Sequence, residues 1–412
     1  MSKNTQYDKN AGSGMFERHY VKTIVDRISE TNNPLMQVVV GPRQTGKSTM
    51  LGQALAKIDT EQFFISADDA IVPSEEWLQV EWQQARNATR SGSCPVVLVV
   101  DEIQKVPHWS LVVKSLYDAD RRNDTPVRVV LSGSSSLLLH KGLEDSLMGR
   151  FELIHSPHWS YSECSQAFGF SFDDYLYYGG YPGAARFASD DARWISYIRE
   201  AIIEPTISQD VLALEDIRKP ALMRALFRLG ATYSAQELSY TKMLGQLQDA
   251  GNTVTVAHYL DLLDKAGMLC GIQKYDARAV KRRKSSPRFM VYDTSLMTAS
   301  SGIEKSRYLG EPDLRGHLVE SAVGARLLAR ASEEGLGVYW WREGIKEVDF
   351  VVSKSFDSLS AIEVKSGKEK GQSGMADFLS AHPNAKRIVV GGAASGACGV
   401  EEFLKDEVEL FY

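Results

Sequence analysis

The stretch LMQVVVGPRQTGKSTMLGQAL, residues 35–55, decides the fold of the first part of the chain. Its apolar opening predicts a buried strand, and the apolar residues at helical spacing after Ser48 predict a helix. The pattern G-x-x-x-x-G-K-S lies between them, which is the setting that a phosphate-binding loop requires. The sequence therefore predicts a nucleotide site formed by the loop residues Gly41, Pro42, Arg43, Gln44, Thr45, Gly46, Lys47, Ser48 and Thr49.

The residue types of this loop suit phosphate chemistry. Glycines allow backbone N–H groups to point at phosphate oxygens, and the following helix adds the positive end of its dipole. Lys47 is expected to reach the β- and γ-phosphates, and the Ser48 hydroxyl is expected to hold Mg²⁺. A glycine-rich turn with an unrelated lysine is the alternative, which the flanking strand and helix disfavour.

A second buried strand is predicted in CPVVLVVDEIQKV, residues 94–106, with Asp101 and Glu102 at its end. Asp101 is expected to anchor the same Mg²⁺, and Glu102 is expected to polarise the attacking water. Two solvated acids at a strand end are the alternative. An N-K-x-D segment, which would read guanine, does not occur in the sequence, so ATP and Mg²⁺ are the expected cofactors.

A third strand is predicted in VRVVLSGSSSLLL, residues 127–139, which carries Ser132, Ser134 and Ser135 at its polar end. A hydroxyl there could sense the γ-phosphate or orient water, and Ser134 is the candidate; closely spaced serines are also ordinary loop chemistry. Strands and helices alternate through about residue 139. This alternation predicts a parallel sheet with helices on both faces.

The middle of the chain has a mainly helical pattern. Residues 172–211 are predicted to be helical, with interruptions at Gly179, Gly180 and Pro182. From about residue 217, short helices and then two strands around a basic tip predict a helix-turn-helix with a wing. Thr255 is expected to cap the last of these helices, and Gly267 is expected to end it.

The predicted wing concentrates positive charge. Its cations, with no acid among them, are Arg278, Lys281, Arg282, Arg283, Lys284 and Arg288. On a chain with a formal net charge of −6, this concentration favours contact with DNA phosphates. A protein interface and a solvated hairpin tip are the alternatives.

The C-terminal part predicts a helix, three strands, a helix and a strand from about residue 311. Strand alternation places Glu363 and Lys365 on one face of the third strand and Asp349 on the matching face of the second. Together with Glu320 of the preceding helix, these carboxylates predict a site for Mg²⁺ or Mn²⁺. Lys365 is expected to orient water or stabilise a phosphate, and a metal-free ion pair with Glu363 is the alternative.

These motifs resemble two known groups of proteins. The first part resembles AAA+ ATPases, and Glu320, Asp349 and the run Glu363-Val364-Lys365 resemble the PD-(D/E)XK nucleases, with Val348 where their name has proline. From about residue 16 to 412 the chain resembles a prokaryotic family of AAA+ ATPases with a C-terminal nuclease-like domain of uncertain function. The matching segments are GPRQTGKST, VDEIQ, SGSSSLL, GGYP, RFMVYDTSL, LRGHLVE, EVDFVV and IEVKSG.

The resemblance implies an architecture and partners. It implies an N-terminal arm and helix (1–30), an AAA+ core (31–160), a helical lid (161–213), a winged helix (214–292) and a nuclease-like domain (293–412). It also implies DNA, including branched DNA, as a partner, and a homo-oligomer, with a hexamer among the forms. Arg150 would then act as a finger or sensor toward the γ-phosphate, a role worth ~10³–10⁵ in rate. A surface ion pair is the alternative for Arg150.

Composition narrows the class further. The net charge of −6 excludes a uniformly basic coat for nucleic acid, and four cysteines without paired spacing fit a reducing cytoplasm. The longest apolar run, PVVLVV, is too short to span a bilayer, so no membrane is expected. The predicted function is a DNA-binding AAA+ ATPase that remodels DNA, with metal-dependent nicking as an extension. The alternative is a signalling or regulatory NTPase with a protein-binding winged helix and an inactive nuclease-like domain.

Overall fold

A computed structural model describes most of the chain. It covers residues 15–31, 35–90, 95–133, 146–211, 217, 219–247, 252–276, 286–355, 357–365, 372–392 and 395–412. The chain divides into two compact units, Met1–Ser156 and Pro157–Tyr412, each of which is described by itself. Within the described ranges, no helix combines the length and the apolar character needed to cross a membrane.

The first unit is built around a five-stranded sheet in the order β2-β3-β4-β1-β5. All four pairings between neighbouring strands are parallel, as predicted. The strands are β1 (Met36–Val40), β2 (Gln62–Ser66), β3 (Val96–Asp101), β4 (Val127–Gly133) and β5 (Phe151–His155). The helices are α1 (Tyr20–Ile28), α2 (Lys47–Leu55), α3 (Glu75–Thr89) and α4 (Trp109–Arg122).

Helices cover both faces of this sheet. Val38 of β1 packs on one face with Trp82 of α3 and Val113 of α4. Val39 packs on the other face with Ile24 of α1 and Met50 of α2. Burial on both faces explains why the strands are continuous apolar runs rather than alternating ones. The predicted α/β class with a doubly covered parallel sheet is confirmed.

The strand order also positions the site. Strand β4 lies between β1 and β3. The carboxyl ends of the three parallel strands therefore meet at one edge, and the loop after β1 begins at that edge. Since neighbouring strands are about 4.8 Å apart, residues ending β1, β4 and β3 can contact a common ligand.

The second unit begins with helices and ends in a mixed sheet. Its helices are α5 (Tyr161–Phe168), α6 (Phe172–Tyr178), α7 (Asp191–Tyr197), α8 (Pro220–Thr232), α9 (Tyr240–Gln246), α10 (Thr253–Lys265), α11 (Thr294–Ser301), α12 (Lys305–Gly310), α13 (Pro312–Glu334), α14 (Met375–Ala381) and α15 (Val400–Leu404). Its strands are β6 (Leu269–Lys274), β7 (Arg288–Val291), β8 (Gly337–Glu343), β9 (Lys346–Ser353), β10 (Leu359–Lys365), β11 (Gln372–Ser373) and β12 (Lys386–Gly391). The predicted order of helix, three strands, helix and strand after residue 311 is confirmed, with β11 added.

One sheet joins the predicted wing to the C-terminal strands. Its order is β12-β10-β9-β8-β6-β7, and β11 pairs with β9. Strands β6 and β7 pair antiparallel, which agrees with the two strands predicted there, while the winged helix as a whole stays a prediction. Strand β6 also pairs in parallel with β8 through Gln273–Tyr339 and Lys274–Trp340. This junction, which the sequence did not predict, brings β7 into the same sheet as β9.

Two local predictions are corrected by the structure. Helix α10 begins at Thr253, and its cap is Asn252 rather than Thr255, because the Asn252 side chain accepts the Thr255 N–H over 2.9 Å. The strict alternation predicted for β9 is broken, because the register with β8 shifts between Tyr339 and Trp341. Val348 and Val351 therefore share one hydrophobic cluster.

The GGYP segment and the segment around Asp293 form a buried clamp. Asp293, which is 3% exposed, accepts the N–H groups of Gly180 over 2.7 Å and Ser295 over 3.0 Å. A Cβ added at Gly180 would lie 2.2 Å from the carbonyl oxygen of Trp159, so only glycine fits there. These two matching motifs therefore have a structural role, holding α6 against the start of α11.

This clamp predicts a pH-dependent stability. Burial raises the pKa of Asp293 from 3.8 to about 6. The folded state thus binds more protons than the unfolded state in this window, and stability is lost as the pH rises through 6. We expect the free energy of unfolding of the wild type, relative to that of Asp293→Asn, to fall by about 2 kcal/mol between about pH 4.5 and pH 7. Urea unfolding at each pH measures this difference. Burial raises the pKa of Asp264 similarly, to about 6, but this contribution cancels in the comparison. A pH-independent difference would contradict the prediction.

Candidate functional site

The loop after β1 has the backbone of a phosphate-binding turn. Gly46 precedes α2 with a positive φ of 87°, and Gln44 has a φ of 60°. A Cβ added at Gly41 would lie 2.1 Å from the carbonyl oxygen of Ser156, so the loop can leave β1 only through glycine. Thr45 is fully buried, and its hydroxyl donates to the Pro42 carbonyl over 3.0 Å. These contacts fix the loop in front of the first turn of α2.

Lys47 lies inside this loop rather than in solvent. It is 6% exposed, and its ammonium donates to the carbonyls of Gly41 over 3.0 Å and Pro42 over 2.7 Å. A buried ammonium needs such partners to offset the loss of hydration. The charge is therefore already located where the sequence places the β- and γ-phosphates.

Oxygen atoms from α2, β3 and β4 meet next to Lys47. The Ser48 hydroxyl donates to Asp101 Oδ2 over 2.6 Å, and the Ser132 hydroxyl donates to Asp101 Oδ1. Asp101 is 4% exposed, whereas Ser48 is exposed. A hydroxyl and a carboxylate are hard oxygen donors of the kind that Mg²⁺ prefers. The donor set fits a nucleotide-bound Mg²⁺ that Ser48 and Asp101 would hold.

Glu102 is oriented by its neighbours. Its backbone is left-handed, with a φ of 51°. Its N–H donates to Asp101 Oδ1 over 3.1 Å, and Gln104 Nε2 donates to its carboxylate over 2.6 Å. The carboxylate of Glu102 is thus directed by Gln104 and lies next to the metal-ligand candidate. This arrangement suits a residue that orients water.

Sequence reasoning missed Gln104 and chose a different serine from the one in contact. Gln104 was visible only as part of VDEIQ, two residues after Glu102. Ser132 reaches Asp101 because Leu131 of β4 pairs with Val100 of β3. Ser134, the predicted sensor, lies outside the described residues.

Arg150 forms an ion pair within its own unit. Its Nε and Nη2 atoms donate to Asp118 Oδ1 over 2.8 Å and Oδ2 over 3.0 Å. The hydrogen bond from Arg150 lowers the pKa of Asp118, and both side chains are about a third exposed. The bidentate pair agrees with the ion-pair alternative, while a role toward the γ-phosphate stays a prediction.

In the second unit, the predicted metal ligands surround an arginine. Arg288 Nη1 lies 3.1 Å from Glu320 Oε1 and 3.7 Å from Asp349 Oδ1, and Nη2 contacts Glu347. Arg288 is 3% exposed. The prediction that it belongs to a DNA-contacting patch is therefore corrected, because its guanidinium is buried among carboxylates. Arg278, Lys281, Arg282, Arg283 and Lys284 lie outside the described residues.

The other predicted members of the metal site are paired elsewhere. Lys365 Nζ lies 2.8 Å from Glu363 Oε1, as the ion-pair alternative expects. Asp349 Oδ2 accepts the Val364 N–H over 2.8 Å. Across the described ranges, no group of three or more His, Cys, Asp or Glu residues is placed to hold a metal ion. Glu320, Asp349 and Glu363, the predicted Mg²⁺ or Mn²⁺ ligands, do not form such a group among the described residues; Arg288 contacts the first two and Lys365 contacts Glu363.

The order of the motifs agrees with matches to known families. Residues 33–165 match the model of a family described as AAA domain. Residues 169–307 and 315–397 match two families described as domains of unknown function, DUF8612 and DUF4143. The first unit therefore has a fold like that of AAA-type P-loop ATPases.

Relatives share most of the chain. An uncharacterized protein of Haemophilus influenzae is 22% identical over 377 residues, 87% of this chain and 89% of that protein. An uncharacterized protein of Mycobacterium tuberculosis is 29% identical over 322 residues, 77% of this chain and 67% of that protein.

Solved structures give only a slight likeness. The RuvB Holliday junction branch migration motor of Thermotoga maritima has a TM-score of 0.32 and 17% identity, covering 62% of this chain and 89% of that one. The ORC1 protein of Aeropyrum pernix in complex with DNA has a TM-score of 0.30 and 13% identity, covering 68% and 91%.

Proposed function

We propose that the chain is a Mg²⁺-dependent ATPase that binds DNA and couples the two activities. One observation carries the ATPase proposal: the Ser48 hydroxyl lies 2.6 Å from Asp101 Oδ2. The chain neighbours of these two residues are the buried Lys47 and the oriented Glu102. Each of these groups has a task in hydrolysing the phosphoanhydride bond between the β- and γ-phosphates, and the strand order explains why they meet at one edge of the sheet. ATP, when bound, would supply the γ-phosphate and bring its Mg²⁺.

The residues divide the work. Lys47 and the loop N–H groups bind and neutralise the phosphates. Ser48 and Asp101 position the metal, and Ser132 keeps the Asp101 carboxylate oriented through its hydroxyl. Glu102 accepts a proton from the attacking water or orients it, and Gln104 holds that carboxylate in place. Positioning of this kind accounts for most of the catalysis in phosphoryl transfer.

The proposal of DNA binding rests on the segment 278–284. It carries five cations and no acid on a chain of net charge −6. Such a concentration of positive charge suits contact with the phosphate backbone of DNA. Binding of this kind does not depend on the base sequence. Strand β7, which follows this segment, belongs to the C-terminal sheet. DNA bound to this segment would therefore be close in sequence to a strand of the C-terminal sheet.

DNA binding is tested by replacing Lys281, Arg282, Arg283 and Lys284 with alanine. We expect weaker binding to every DNA sequence and a slope of log affinity against log salt that is shallower by up to roughly 3.6, about 0.9 per lost contact. The measurement is a salt series by fluorescence anisotropy with duplex, single-stranded, forked and four-way DNA, together with ATP turnover in each.

The control removes the same charge from other exposed positions, namely Lys57, Arg121, Arg122 and Lys265. It should keep the salt slope of the wild type. If the wing variant also keeps the affinity and the slope, segment 278–284 does not bind DNA.

A regulatory NTPase is the second candidate, and Arg288 favours it. Two of the carboxylates expected to serve a nuclease, Glu320 and Asp349, are engaged by Arg288, and the third, Glu363, is paired with Lys365. The C-terminal domain therefore resembles a nuclease in its order of helices and strands more than in its chemistry. In this case nucleotide state would govern a protein partner. ATP turnover that no DNA form changes, together with unchanged DNA affinity in the wing variant, would support this candidate.

A further inference from the structure

One guanidinium gathers carboxylates from two different elements. Arg288 comes from β7, Glu320 from α13, and Glu347 and Asp349 come from β9. Arg288 Nη1 also donates to the backbone carbonyl of Asp349 over 3.2 Å. The cation therefore reaches each acid, although they lie 32 to 61 residues further along the chain.

A divalent metal and this guanidinium compete for the same place. Mg²⁺ lies about 2.1 Å from its oxygen ligands and needs several of them at once. Nη1 of Arg288 lies between Glu320 Oε1 and Asp349 Oδ1, at 3.1 and 3.7 Å. A metal bound to both oxygens would fall on the space that Nη1 takes, with two positive charges beside a third. Only one of the two cations can be accommodated.

Two of the acids make further hydrogen bonds. The β9–β10 pairing ends at Phe350 and Ile362, and Asp349 Oδ2 then accepts the Val364 N–H over 2.8 Å. Arg342 donates to Glu347 over 3.0 Å and also contacts Glu237. Arginines therefore compensate the acids of this cluster, with Arg288 as its buried cation, although Arg288 Nε is itself buried without a hydrogen-bond partner among the described residues.

We propose that Arg288 is the resident cation of this cluster. The cluster therefore binds no divalent metal while Arg288 is present. Loss of Arg288 would leave Glu320, Glu347 and Asp349 facing one another around an empty volume. Three converging carboxylates of this kind are ligands for Mn²⁺. Arg288 therefore both excludes metal and ties β7 to α13 and β9. The inference does not depend on ATP hydrolysis.

The test titrates Mn²⁺ alone, without nucleotide, into the full chain and its variants by electron paramagnetic resonance. In the wild type, Asp349→Asn should leave the amount of bound Mn²⁺ unchanged, since Asp349 binds none. Arg288→Met should gain one Mn²⁺ site, about tenfold or more tighter than any binding at that place in the wild type. Adding Asp349→Asn to Arg288→Met should remove the site again.

Arg342→Met is the matched control. Arg342 also contacts Glu347, but its side chain is 37% exposed at the edge of the cluster. Its loss should create no Mn²⁺ site. If Arg288→Met does not fold, the amount of Mn²⁺ bound by the wild type and by Asp349→Asn is compared instead, and this comparison alone tests the proposal. A wild-type Mn²⁺ site that Asp349→Asn abolishes would overturn the proposal, as would a folded Arg288→Met protein that gains none.

Discussion

Lys47→Ala is expected to lower the affinity for Mg·ATP about 100-fold or more. The Lys47 ammonium is buried in the loop and held by two carbonyls, so it meets a phosphate without leaving the site. Truncating one partner of a buried charged contact costs about 2–5 kcal/mol, and each 1.4 kcal/mol is a factor of ten in affinity. Isothermal titration with ATP and Mg²⁺ measures the loss directly.

Lys57→Ala is the control for this variant. Lys57 is also a lysine of the first unit, but it forms an exposed ion pair with Glu17. Such pairs contribute little to stability, and Lys57 lies after α2 rather than in the loop. Its variant should bind ATP like the wild type. If Lys47→Ala also binds ATP like the wild type, the loop is not the nucleotide site.

Arg150→Ala is expected to lower ATP turnover by ~10³ or more while keeping the affinity for ATP. The family resemblance implies that Arg150 stabilises the charge of the transferring phosphate, and we propose that it does so on a neighbouring subunit of a homo-oligomer. Since Arg150 is paired with Asp118 in the structure, it must leave that partner to act. The measurement is turnover at saturating ATP, with affinity determined separately.

Asp118→Ala separates the two roles of Arg150. If the ion pair is only structural, Asp118→Ala and Arg150→Ala break the same contact and should have similar effects. If Arg150 acts on phosphate, Asp118→Ala frees it, and turnover should stay near that of the wild type. Mixing Arg150→Ala with Lys47→Ala subunits should then restore part of the turnover. A monomer that hydrolyses ATP at the full rate would contradict action between subunits.

The sequence predicted the strand, the loop and the helix of the candidate nucleotide site because their determinants are local. A strand, a glycine-rich loop and a helix are contiguous, and the residues between Gly41 and Thr49 lie where the pattern places them. The serine that contacts Asp101 was harder to predict from the sequence. Whether Ser132 or Ser134 approaches Asp101 depends on the register of β3 against β4, which no local pattern specifies.

The second unit was harder to predict because its site depends on distant contacts. A basic run indicates positive charge but not which of its members is buried. Arg288 begins β7, and the pairing of β6 with β8 carries that hairpin to the carboxylates of β9. The shift in the β8–β9 register likewise alters which residues share a face. The sequence therefore predicted Glu320 and Asp349 as neighbours and Lys365 as the partner of Glu363, but not Glu347 in the cluster or Arg288 as its cation.

We propose that the first unit hydrolyses ATP with Glu102 and Mg²⁺. The most direct test is phosphate release from ATP by the full chain, with and without Mg²⁺, beside Glu102→Gln and the exposed control Glu61→Gln. The prediction is Mg²⁺-dependent turnover in the wild type and in Glu61→Gln, and a fall of about 10²–10⁴ in Glu102→Gln with ATP affinity retained. Equal turnover in Glu102→Gln and the wild type would contradict it.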